Sequence, residues 1–267
     1  MFKTRLLFSL LFAPVMLGLI YVGGWVYFAA IAILMVVATA EYANLMKHLG
    51  WQTPVWLLST AVFLLLLTAQ LKQPNLTNLL LTFSIIATLL YALWVYEKNK
   101  TTNATADFLA SLGGVILLGW LGMHFILIRH LDTHGERTML IFTIIWSADS
   151  FAYLVGSQIG RHKLVPRLSP KKSVEGYLGG IFFSILIVLI LSYALFPSLP
   201  LWPSALLALT LSLIAPAGDI AISMFKRESS VKDTGHIFPG HGGVLDRFDA
   251  LLWGVAIGYY LILFFPN

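Results

Sequence analysis

The chain has no cysteine among its 267 residues, which excludes both a disulfide framework and a thiolate metal site. Charge is scarce as well: Asp, Glu, Lys and Arg together make up 11% of the residues, where a soluble domain carries about 25%. No repeat of 20–50 residues, no low-complexity linker and no alternating barrel pattern is present. What the chain has in abundance is apolar length: 58% of it is hydrophobic, with a mean hydropathy of +0.85. Runs of about 20 apolar residues match the hydrocarbon thickness of a bilayer. Without water to satisfy the backbone there, such runs are helices.

Nine apolar segments are expected, near 6–22, 25–45, 54–71, 78–96, 108–128, 138–156, 177–196, 203–222 and 250–265. The reading is therefore an all-α polytopic membrane protein with about nine transmembrane helices and a polar active site on its cytoplasmic face. The start, Met1-Phe2-Lys3-Thr4-Arg5 before an apolar run, resembles a signal peptide but lacks a small-residue cleavage site, so it reads as an uncleaved first span. The short Gly23-Gly24 link leaves a re-entrant hairpin as the other arrangement of the first two segments. Pro216-Ala217-Gly218-Asp219 marks a place where the eighth helix breaks. Nine spans put fourteen of the 17 Lys and Arg on one side and three on the other. That bias makes the positive side, which holds both long polar loops, cytoplasmic. The net charge of +5 suits anionic head groups or nucleotides and equally this ordinary bias. The chain reads as a single membrane domain, 1–267, with a helical sub-bundle at 1–107 and catalytic helices and loops at 108–267. Loops 46–53, 71–77 and 129–137 read as solvated connectors. Glu41, late in the second span, reads as snorkelling to the interface or capped by a neighbour.

The chemistry concentrates near the end. Ser223 to Asp249 carries eight charges in 27 residues, with Asp219 just upstream. A Gly-rich turn, Gly240-His241-Gly242-Gly243, can present backbone N–H groups to an anion, although it lacks the Gly-Lys-Ser/Thr ending of a nucleotide-binding P-loop. Asp246 and Asp249 are three apart, on one helical face, and Asp219 ends the preceding span on the same side, so Asp219 and Asp246 can meet around a cation. Hard oxygen ligands without cysteine favour Mg²⁺ or Mn²⁺. His236 and His241 lack the helical spacing of a zinc site. Lys226, Arg227, Lys232 and Arg247 can neutralise a polyphosphate.

Two further regions belong with it. Asp149 lies inside an apolar helix, where an acid is functional or else buried against a Lys or Arg. Ser169-Pro170-Lys171-Lys172-Ser173-Val174-Glu175-Gly176 enters a helix and can bind phosphate oxygens. As an isolated loop it reads equally well as a basic patch on anionic lipid.

These residues resemble the phosphatidate cytidylyltransferases (CDP-diacylglycerol synthases). The family pattern appears as Ser223-Met224-Phe225-Lys226-Arg227, Lys232-Asp233 and His241-Gly242-Gly243-Val244-Leu245-Asp246-Arg247-Phe248-Asp249, together with Ser169–Gly176 and Gly218-Asp219. The resemblance implies that CTP and phosphatidate in the bilayer give CDP-diacylglycerol and pyrophosphate, with no nucleic-acid polymer involved. It further implies a divalent metal on Asp219 and Asp246, K⁺ beside it, and a homodimer in the cell (inner) membrane. On this reading Asp219, Asp246, Lys226, Arg227, Lys232 and Arg247 are catalytic. Ser169, Lys171, Lys172, Ser223, His241, Gly242 and Gly243 bind substrate. Asp249 orients Arg247 or binds the metal through water, and Asp149 is a further cation ligand or stands behind the ligands. The alternatives are a CTP-dependent transferase or kinase for another lipid, separated by its product, and an organic-anion transporter. A transporter would show paired broken helices in two halves, whereas the polar chemistry here is crowded into the last 120 or so residues.

Overall fold

The computed structural model describes residues 2–194, 200–238 and 242–264, with side chains from residue 11 onward. The helices are α1 (Phe2–Val22), α2 (Gly24–His48), α3 (Val55–Gln70), α4 (Pro74–Glu97), α5 (Ala104–Gly114), α6 (Leu121–Arg129), α7 (Glu136–Ile159), α8 (Val174–Ala194), α9 (Leu201–Ile214), α10 (Pro216–Glu228) and α11 (Leu245–Phe264). A π-helical stretch, Val115–Trp120, joins α5 to α6 in one apolar rod, Ala104–Arg129. Within the described residues each of the nine expected segments is helical. Among the described residues seven are long and apolar enough to cross a membrane, and Leu11–Val22 and Val55–Gln70 are shorter. The protein is thus a polytopic all-α membrane protein.

The boundaries follow local chemistry. Gly23 and Gly24 take positive φ values of 66° and 55°, a conformation costly for residues with a Cβ, and so separate α1 from α2. Pro74 and Pro216 open α4 and α10, where the missing N–H costs nothing. Around Pro216 the helical run changes partners, which realises the expected break as the α9–α10 junction.

Three expectations need correction. The eighth helical run does not end near 222: α10 continues through Glu228, because Met224, Lys226, Arg227 and Glu228 are good helix formers. The loop after α7 is not irregular: β1 (Lys163–Val165) pairs antiparallel with β2 (Ser169–Ser173), in register Lys163↔Ser173 and Val165↔Ser169. The 129–137 segment is not a solvated connector. Arg129 is buried and donates to the carbonyls of Ile20, Tyr21, Asp132 and Thr133, and Asp132 caps α7 by accepting the N–H groups of Gly135, Glu136 and Arg137. Loop 46–53 is likewise tied down, with Gln52 N–H donating to buried Asp107 at 2.7 Å.

The core runs through α2, α6, α7 and α11, with Phe125 packed edge-on against Phe142 and Phe248 at 5.9 and 5.6 Å. On α8 the buried residues are Gly176, Gly180, Ser184, Val188 and Ser192, a stripe of mainly small side chains at four-residue steps. It meets Ala148, Ala152 and Gly156 of α7, where a Cβ on Gly176 or Gly180 would touch the facing backbone. Small residues let two helices pack backbone to backbone in lipid. This contact fixes the hairpin end of α8 against the half of α7 that carries Asp149.

Candidate active site

The polar residues gather where α7, the hairpin, α10 and α11 meet. Gly218 is the reason α10 and α11 come so close: a Cβ there would collide with the Asp249 carbonyl oxygen. Asp219, the next residue, is therefore within electrostatic reach of both Asp249 and Asp149. Lys172 from β2 forms an ion pair with Asp219, and the Ser223 hydroxyl stands 3.4 Å from the other Asp219 oxygen. Arg227 Nε donates to the Leu168 carbonyl at 3.3 Å, so the last turn of α10 and the hairpin hold each other.

Asp246, in the first turn of α11, has a fuller set of partners. Its Oδ1 accepts Lys226 Nζ at 2.6 Å. Its Oδ2 accepts the Thr234 N–H at 2.8 Å, the Thr234 hydroxyl at 2.9 Å and the Gly243 N–H at 3.0 Å. Gly240 of the expected anion nest lies outside the described residues; within them the Gly243 N–H serves Asp246, and the next two N–H groups, of Val244 and Leu245, serve Glu41. Gly242 has φ 83° and its Cα faces Asp246 Oδ2, where a Cβ would come within 2.6 Å. Its place in the turn is what lets the next N–H reach the acid. His241 lies outside the described residues.

Two cavities adjoin at Asp149. One, of about 520 Å³, lies between α7, the hairpin, α8 and the α9–α10 junction, and is lined by Asp149, Lys171, Lys172, Tyr177, Ser212 and Asp219 among others. The other, of about 310 Å³, is lined by Asp149, Asp246, Arg247 and Asp249 together with Phe12 and Ala13 of α1. Asp149 is exposed to this space, with Lys172 and Arg247 within electrostatic reach. Asp249 is buried, with one oxygen accepting the Ala250 N–H at 2.7 Å. Lys171 and Lys232 are exposed and Ser169 is half-buried at the start of β2.

The structure thus brings Asp149, Asp219, Asp249, Lys172 and Arg247 together, and gathers Lys226, Thr234, Gly243 and Asp246 in a second set at the start of α11. Sequence reasoning missed Thr234, a lone threonine in a polar segment, and the part played by Glu41, which is buried in α2. The only signal for the latter was an acid inside an apolar helix.

Helical spans that place acids, lysines and an arginine around two adjoining cavities make this an integral-membrane protein with a densely charged internal site. The chain belongs to the Cytidylyltransferase family, whose model matches residues 3–265. A phosphatidate cytidylyltransferase of Bacillus subtilis is 33% identical over 269 residues, covering 98% of each chain. One from Staphylococcus aureus is 32% identical over 264 residues, 98% of this chain and 99% of its own. One from Staphylococcus epidermidis is 29% identical over 261 residues, 97% of each.

Proposed function

We propose that the protein catalyses the reaction named in its relatives: CTP and phosphatidate give CDP-diacylglycerol and pyrophosphate, a step of phospholipid synthesis. The observation that carries this is the end-to-end family match together with the joining of four carboxylates, three lysines and an arginine around two adjoining cavities.

A phosphate oxygen of phosphatidate attacks the α-phosphorus of CTP, and the bond from that phosphorus to the bridging oxygen breaks, so that pyrophosphate leaves with the electron pair. The nucleophile is an anion near neutral pH, which removes the need for a strong general base. The protein's task is to bring two anions together in line. Lys172 and Lys171 line the larger cavity and face either the lipid phosphate or the triphosphate. Arg247 opens onto the smaller cavity beside Asp149. Lys226, Arg227 and Lys232 add positive charge along α10 and the segment that follows it, where it offsets charge developing on the phosphates. Ser223 supplies a hydroxyl beside Asp219, and Ser169 another at the start of β2.

The residues fit a divalent cation. Asp219 and Asp246 each already hold a lysine ammonium, so each is a position that favours positive charge. Two carboxylates without a soft ligand suit Mg²⁺ (or Mn²⁺), which takes one or two carboxylates and completes its shell with water and substrate phosphates. Asp219 and Asp246 would hold it, with Asp249 and Asp149 beside them and K⁺ as a neighbouring cation. When bound, the metal would supply positive charge that offsets the charge on the phosphates.

The same proposal places the site on the cytoplasmic face of the cell membrane, on the strength of the Lys and Arg bias, and makes the working unit a homodimer. The larger cavity lies against the lipid-facing helices α7 and α8, which lets acyl chains stay in the bilayer. Purified protein in detergent should release pyrophosphate only when CTP, phosphatidate and Mg²⁺ are all supplied. Release with a different lipid phosphate and not with phosphatidate would refute the substrate, and a phosphorylated lipid with CDP as co-product would refute the reaction.

A further inference from the structure

Glu41 lies on α2, 193 residues before Thr234, and outside every motif that marks the family in this chain. It is 7% exposed, and an acid at that depth in a membrane helix persists only where it is paired or hydrogen-bonded. Its partners are specific. Oε1 accepts the Val244 N–H at 3.0 Å, and Oε2 accepts the Leu245 N–H at 2.8 Å and stands 3.1 Å from the Thr234 hydroxyl. Val244 and Leu245 carry the first free N–H groups at the start of α11, and a carboxylate there also opposes the positive end of the helix. Gly235 and Gly243 press against the same carboxylate, leaving no room for a Cβ at either.

Asp246 is held by this same group of atoms. The Thr234 N–H, the Thr234 hydroxyl and the Gly243 N–H all converge on Asp246 Oδ2. The Thr234 hydroxyl stands between the two carboxylates, and its single proton serves one of them at a time. Two turns of chain, around 234 and 243, are thereby clamped between Glu41 on one side and Asp246 on the other.

We infer that Glu41 is a positioning residue for Asp246, acting through Thr234 and the N-terminal N–H groups of α11. The inference rests on the proposed reading of the site, in which Asp246 faces the cation and the phosphates. Glu41 acts through Thr234, Val244 and Leu245, the groups its carboxylate holds. It fixes the height and rotation of the first turn of α11, and with them the direction of Asp246 Oδ1 toward Lys226. It also adds a second negative charge behind Asp246, which strengthens the hold of the pair on a cation.

The test uses full-length Glu41→Gln, Thr234→Val and the double variant. Gln keeps the length of the side chain but replaces one acceptor with an NH₂ that meets donors. Turnover per folded molecule should fall about 10–100-fold in Glu41→Gln, the range found for residues that orient a site's direct ligands. The KM for CTP should move by less than about threefold, because the loss falls on the transition state. The double variant should be no slower than the worse single one, because both break one linkage. Amide exchange at Thr234 and Gly243–Leu245 should quicken in Glu41→Gln without any substrate present. This last readout stands even if the wild-type protein proves to act on another substrate, so failure of the inference and failure of the functional reading are told apart. Unchanged exchange at those amides would overturn the inference. So would wild-type turnover per folded molecule in Glu41→Gln, or losses that multiply in the double variant.

Discussion

Gly218→Ala adds one methyl group where α10 crosses α11. The new Cβ would touch the Asp249 carbonyl oxygen and lie 2.9 Å from Trp253 Cδ1 and 3.1 Å from the Asp249 carbonyl carbon. Carbon atoms settle at about 3.5–4.0 Å, so relief requires a shift of roughly 0.5–1 Å. Neither the backbone of Asp249 nor the ring of Trp253 is a flexible end that can swing aside, and α10 itself must move. Overpacking of this kind costs about 1–3 kcal/mol. The larger effect is local, since Asp219 is the next residue and moves with the helix away from Asp249. A displacement of about 1 Å in a site that works by alignment costs about 10²-fold in rate. The assay is CDP-diacylglycerol formation per folded molecule in detergent, with the thermal midpoint measured alongside. Gly18→Ala is the control, because nothing lies within 4 Å of a Cβ there; it should leave the rate alone. Wild-type turnover in Gly218→Ala would refute the argument that this close crossing sets the geometry of Asp219.

Other substitutions separate charge from architecture. Asp246→Asn should abolish most turnover and also destabilise the fold by about 3–5 kcal/mol, because Lys226 loses its charge partner; adding Lys226→Met should restore the thermal midpoint but not the rate, and a recovered rate would contradict the role given to Asp246. Lys172→Met should change stability by less than about 1 kcal/mol, since both partners of its ion pair with Asp219 are more than a quarter exposed, yet slow turnover about 10²-fold; an unchanged rate would remove Lys172 from the site. The absence of native cysteine permits a clean test of orientation: in intact cells a membrane-impermeant maleimide should label Asn75→Cys and spare Lys98→Cys, and the reverse pattern would invert the proposed topology.

Much of this architecture is legible in the sequence because lipid simplifies the code. Each apolar run that crosses a bilayer has to be helical, so nine runs become nine helical segments, and Pro216 marks a real junction. The charged cluster that holds Asp219, Lys226 and Asp246 is equally visible, because charged residues are rare enough here for it to stand out. What stays hidden depends on partners far away in the chain. Glu41 shows only as an acid in an apolar helix, and nothing local says that the start of α11 will meet it. Arg129 counts as a loop charge until the carbonyls at the end of α1 surround it. Lys163–Ser173 carries little β-propensity and pairs because α7 and α8, drawn together by Gly156, Gly176 and Gly180, hold its two ends side by side. Polar residues after Asp219 look like a loop, but α10 extends through them on one wet face.

The central claim is that the cytidylyl group of CTP passes to a lipid phosphate at the site formed by α7, α10, α11 and the hairpin. Purified protein given CTP labelled at the α-phosphorus, with phosphatidate and Mg²⁺, tests it most directly. The account predicts label in the lipid fraction as CDP-diacylglycerol, one pyrophosphate released for each, and loss of both in Asp246→Asn. Label remaining in water-soluble CDP while a phosphorylated lipid accumulates, or equal labelling of lipid by Asp246→Asn, would contradict it.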